Sequence, residues 1–129
     1  MFLFIQIGNH IERRLEEALS QVGLSLPKYG ALTQLMKAGE PLPLSELAAQ
    51  MTCVRSNITQ LVDRLEADGL VLRVEDPKDR RSIRAAVTKL GRERQAAGAR
   101  RVGAIKDEVA KAFSEVDSKT LKQGLDLLK

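Results

Sequence analysis

A chain of 129 residues with 43% hydrophobic content supports one domain, or one compact domain with extended arms. Aromatic residues make up only 3% and Trp is absent, which argues against a stacking platform for single-stranded nucleic acid, and the single Cys53 excludes an internal disulfide. The net charge of +4 is unevenly spread: ten basic and two acidic residues from Lys78 to Lys106 give a local +8, while eleven basic and fifteen acidic residues elsewhere leave −4, the pattern of a region that meets a polyanion.

Phe2 to Val22 is predicted as one helix ended by Gly23, because Phe4, Ile7, Ile11, Leu15, Ala18 or Leu19, and Val22 recur at coiled-coil-like spacing. Phe2, Leu3 and Ile5 widen that stripe beyond what a small core can cover, so burial against a partner chain is expected. The apolar start is too short to span a bilayer and has no basic region before it, so a soluble cytoplasmic protein is expected, in keeping with a lone cysteine. His10 has no second histidine or cysteine at ligand spacing, so no metal site and no cofactor are expected. Pro27 opens a second helix to Ala38, with Ala31, Leu32, Leu35 and Met36 inward and Gly39 as its stop. Glu40-Pro-Leu-Pro43 is a short rigid connector.

Leu44 to Met51 is a short helix with Leu44, Leu47, Ala48 and Met51 on one face. Thr52, Cys53 and Val54 form a turn, and Arg55 to Gly69 follows as a second amphipathic helix. Its residues Ile58, Leu61, Val62 and Leu65 stand at i, i+3, i+4 and i+7 and must be buried. Geometry then aims Ser56 and Gln60 outward, with Asn57 and Arg64 on one flank and Thr59 on the other. Asn and Gln can bond adenine edges and Arg guanine, which suits a reading helix in a major groove, with Arg55 nearer a phosphate. Asp63 and Glu66 lie on or beside that face and repel phosphate, so the C-terminal half is expected to tilt out of the groove.

Leu70 to Glu75 is a strand with Leu70, Leu72 and Val74 assigned inward, and Ile83, Ala85 and Val87 alternate in a second. The intervening Asp76-Pro-Lys-Asp-Arg-Arg-Ser82 forms a basic hairpin tip. Lys89 to Glu115 is a long helix with Val102, Ile105, Val109, Ala112 or Phe113, and then Val116 on one stripe. Gly91, Gly98 and Gly103 each weaken it by about 1 kcal/mol relative to Ala, which close packing must offset. Asp117 caps a last helix striped by Leu121, Leu125 and Leu128, with Val116 and Leu121 placed as a hydrophobic staple. Two apolar arms with too little core between them imply a homodimer.

The run from Asn57 to Glu66, Gly69-Leu-Val71, and the wing Asp79-Arg-Arg81 closed by Val87-Thr88 resemble the MarR family of transcriptional regulators. Val87 stands where leucine is usual, and Thr52 and Val54 stand where the family has Gly in the turn and Ser or Thr as cap. Valine cannot accept the first-turn amides, so the helix start is expected to shift toward Thr52 or fray. The resemblance implies a mainly α fold with a small β-hairpin: a winged helix-turn-helix at 27–88 flanked by dimerisation helices at 1–23 and 89–129, all one domain. It implies a homodimer on a pseudo-palindromic DNA operator, acting as a repressor relieved by a small aromatic ligand. It also places Arg81 at the minor groove, leaving Lys78 and Arg80 as outer phosphate partners and Asp79 to order the tip. Some family members sense oxidants, a role open to Cys53. A winged helix that binds only protein is the alternative, and it does not account for the basic tip. No Ser/His/Asp set, phosphate-cradling glycine loop or paired carboxylates suggest an enzyme, and the basic residues do not line an apolar helix as membrane binding requires.

Overall fold

The apolar stripe at 58, 61, 62 and 65 packs into the core. The computed structural model describes residues 1–51 and 57–129, and there Leu61, Val62 and Leu65 of α4 (Ile58–Ala67) are buried, with Ile58 packed partly against them. They meet Leu19 of α1 (Phe2–Ser20), Ala31, Leu32 and Leu35 of α2 (Leu26–Ala38), and Leu47 of α3 (Leu44–Gln50). Each buried leucine contributes roughly 1.5–3 kcal/mol, so this cluster is what holds the short helices in place.

Local signals set the helix ends. Ser25 accepts the Lys28 amide as the cap of α2, Pro27 sits in its first turn, and Gly39 closes it at φ 71°. Gly23 and Gly69 also take the left-handed conformation that a side chain would strain, ending α1 and α4. Met36, expected inward, is instead 37% exposed at the end of α2, and Ala48 of α3 is exposed as well.

The expected connector is also a strand. β1 (Leu42–Pro43) pairs with β3 (Ile83–Val87), which pairs with β2 (Val71–Glu75), giving an antiparallel sheet of order β1-β3-β2 rather than a lone hairpin. Proline is tolerated there because β1 is an edge strand. The strand faces differ from expectation too: Val71 is fully buried and Leu72 is 56% exposed, so Val71 and Arg73 face inward. Leu70 is buried before the strand starts, where its carbonyl accepts the Thr88 amide, and the alternation counted from Leu70 is therefore shifted by one.

α5 (Lys89–Ala112) begins at the Thr88 cap, which accepts the Gly91 amide, and packs along α1 and α2. Close packing accounts for two of its glycines: a methyl at Gly98 would lie 2.9 Å from Tyr29, and Gly91 is tighter still. Gly103 has nothing within 4 Å, contrary to expectation. α6 (Ser118–Leu128) is capped by Asp117 through the Lys119 amide, yet it buries no residue, and Val116 and Leu121 stay about half exposed rather than closing a staple.

Among the described residues no group of three or more His, Cys, Asp or Glu side chains could hold a metal ion, and no helix is long and apolar enough to cross a membrane. Thr52, Cys53, Val54, Arg55 and Ser56 lie outside the described residues.

Candidate nucleic-acid interface

Asn57 fixes where the polar face of α4 begins. Its backbone is extended at φ −67° and ψ 111°, and its Oδ1 accepts the amides of Thr59 at 3.0 Å and Gln60 at 3.3 Å. α4 therefore starts at Ile58, with Asn57 supplying the capping oxygen, while the start expected between Thr52 and Arg55 falls on residues outside those described. A bidentate adenine contact needs that same oxygen, so Asn57 cannot both read a base this way and cap the helix. Thr59, Gln60 and Arg64 are exposed opposite the buried stripe with their side chains available. A cleft of about 240 Å³ between the starts of α2 and α4 gathers Lys28, Asn57, Gln60 and Arg64. Lys28 had no sequence signal: its ammonium reaches the face by pairing with Asp68 at 2.7 Å, forty residues away.

The wing is ordered by its own aspartates. The Ser82 carbonyl accepts the Asp76 amide at 3.0 Å to close the loop, and Asp79 Oδ1 accepts the Arg81 amide at 3.0 Å. Lys78, Asp79, Arg80 and Arg81 are all exposed at the tip. Asp76, which the sequence did not single out, anchors the base: its carboxylate accepts the Lys78 amide at 2.9 Å, and Arg84 Nε and Nη2 at 3.2 and 3.0 Å. Arg84 continues to the Pro41 carbonyl at 3.2 Å, so the wing is tied to the residue that precedes β1.

The Lys78 amide and the Arg84 guanidinium hold the Asp76 carboxyl below its ordinary pKa, against a smaller opposing effect of burial. Because the folded value is the lower one, the stabilisation from Asp76 is complete above about pH 4 and is lost as pH falls further through the folded value. Thermal melts of the wild type and Asp76→Asn should differ at pH 6 and converge as pH drops below about 4. A difference that persisted unchanged to pH 3 would mean that the charge is not what anchors the wing.

Arg73 joins the two parts. From β2 it donates Nη2 to Asp63 at 2.6 Å and Nη1 to Glu66 at 3.0 Å, and its amide donates to the other Glu66 oxygen at 3.0 Å. Burial opposes its charge, but the bonds and charges of Asp63 and Glu66 outweigh that and raise its pKa above the ordinary arginine value. The two carboxylates are thus paired within the fold, and the repulsion expected to tilt α4 out of a groove is largely offset. The sequence placed Arg73 on the outer strand face, so the pairing was not visible there.

The resulting arrangement is a capped helix with a free polar face beside a rigid basic hairpin. The MarR family model matches residues 24–83. A transcriptional regulator of the MarR family from Rhodococcus sp. RHA1 is 31% identical, with a TM-score of 0.76 over 98% of this chain and 87% of that one. CouR from Rhodococcus jostii RHA1, solved bound to p-coumaroyl-CoA, is also 31% identical, with a TM-score of 0.78 and the same coverage. The HTH-type transcriptional regulator YkoM of Bacillus subtilis is 34% identical over 67 residues, 52% of this chain and 44% of the relative. This chain spans about half the length of the curated relatives it matches.

Proposed function

The chain belongs to the MarR family of transcriptional regulators, which are not enzymes, and from that premise we propose that it is a cytoplasmic homodimer that reads a pseudo-palindromic duplex. The observation that carries this reading is that the fold leaves two polar surfaces exposed and joins their elements through Arg73: Thr59, Gln60 and Arg64 of α4, and the Lys78, Arg80 and Arg81 tip held by Asp76 and Asp79. Gln60 and Arg64 are the base readers, with Thr59 beside them, and Arg55 and Ser56, which lie outside the described residues, are further candidates, Arg55 for a phosphate. Asn57 sets its start and Asp79 keeps the tip ordered. A protein-only module would have no use for three cations at a loop tip braced by internal hydrogen bonds.

Occupying an operator suffices for repression, so a repressor is the simplest mode of action. CouR, solved with an aromatic acyl thioester, supports relief by a small aromatic ligand. In this chain a cleft of about 180 Å³ among Leu35, Met36, Val87 and Arg92 lies between the DNA-facing lobe and α5, where an apolar ring and an anionic group would both find partners.

Arg81 is the wing's main contact in this reading, because a narrow minor groove concentrates negative potential that a guanidinium can enter without losing its charge. Arg81→Ala should weaken binding to every duplex and reduce the slope of log affinity against log salt by about one unit, with the fold unchanged. Fluorescence anisotropy over a salt series measures this, and an unaltered slope would remove Arg81 from the interface.

A further inference from the structure

We infer that Arg73 is a positioning residue for duplex binding that acts as an electrostatic mask, cancelling the carboxylates of the reading helix while fixing the wing against it. The inference rests on the DNA-binding reading above. Asp63 is on the same exposed face as Gln60 and Arg64, and its side chain is 60% exposed, so nothing in the core requires it. Left alone it would place a negative charge in the path of the phosphates. Arg73 reaches over from β2 and binds Asp63 and Glu66 with different guanidinium nitrogens.

Two details show that the reach is built in. Arg73 lies opposite Ala85 in the sheet register, and that fully buried small side chain leaves room for a long one to turn back over α4. β2 is an edge strand, and the outward amide of Arg73 is taken by Glu66, which closes an otherwise open ladder position against the helix. Three residues further on, β2 enters the tip at Asp76, so the clamp at Arg73 sets how far the basic loop stands from the polar face of α4.

Masking and mere scaffolding make different predictions. Arg73→Ala should weaken binding to a random duplex about tenfold at fixed low salt, because two carboxylates then face phosphate without the guanidinium that pairs them. Asp63→Asn alone should change affinity less than about twofold, since its charge is already cancelled, yet in the Arg73→Ala background it should recover at least half of the logarithmic loss. That recovery should come without recovery of the melting temperature, because Asp63→Asn cannot restore the clamp. If Arg73→Ala does not fold, Arg73→Gln, which keeps amide donors but no charge, carries the same test. A double variant as weak as the single one, or a folded Arg73 variant with unchanged affinity, would overturn the mask. A wild-type chain that binds no duplex would overturn the DNA-binding reading itself, and this inference with it.

Discussion

Deleting Asp117 to Lys129 should convert the protein from dimer to monomer at micromolar concentration and lower its affinity for a two-half-site duplex at least a hundredfold. The affinity loss follows from valency: with both reading helices in one particle the second half-site is bound intramolecularly, an advantage of about 10²–10⁴ that vanishes when the subunits part. The dimer itself is argued from what the single chain leaves uncovered. On α6, Leu121 and Leu125 are about half exposed and Leu127 is 87% exposed, while Phe2, Leu3, Phe4 and Ile5 at the start of α1 are exposed as well. A monomer rarely leaves so many large apolar side chains uncovered at its two ends, and a partner chain would cover them. Sedimentation velocity of the truncated chain decides the matter, and a clean dimer would mean that the arms are not the interface.

The largest effect on stability is expected at Gly91. A methyl there would stand 2.1 Å from the Leu70 carbonyl oxygen and 2.8 Å from Val87 Cγ2. That carbonyl also accepts the Thr88 amide at 3.0 Å, so it cannot move away without breaking the bond that holds the cap residue of α5 in place. Overpacking against backbone costs about 3 kcal/mol, while replacing a helical glycine by alanine returns about 1 kcal/mol, so packing wins. Gly91→Ala should lose about 2 kcal/mol, or about 8 °C in Tm for a chain of this size. Gly103→Ala, with open space where the added methyl would stand, should instead gain up to about 1 kcal/mol. Similar melts for both variants would show that the contact at Gly91 relaxes more cheaply than its geometry suggests.

What could be read from the sequence was what depends on near neighbours. The α4 stripe was legible because four apolar residues at helical spacing admit one buried face, and the glycine stops at 23, 39 and 69 because a left-handed residue favours glycine. Asn57 was singled out for an amide that suits a base edge, and its capping bonds to the Thr59 and Gln60 amides were missed because the helix was expected to start before it. The strand faces failed because Leu70, Leu72 and Val74 share one parity while Arg73 and Glu75 stand at the other, and the inward turn of Arg73 depends on Asp63 and Glu66 on another element. β1 is two residues long, with no periodicity to detect, and exists only through pairing with Arg84 and Ala85 some forty residues away. The same holds for Asp76 and Arg84, whose contact spans the whole wing.

Selection of bound sequences from a random duplex pool tests the central claim most directly, because it demands DNA binding, base reading and two-fold assembly together. The proposed dimeric reading predicts enrichment of inverted half-sites centred about one helical turn apart, roughly 10 base pairs, with the preference at the contacted bases relaxed by Gln60→Ala. Recovery of no enriched sequence, or of a single half-site without an inverted copy, would contradict it.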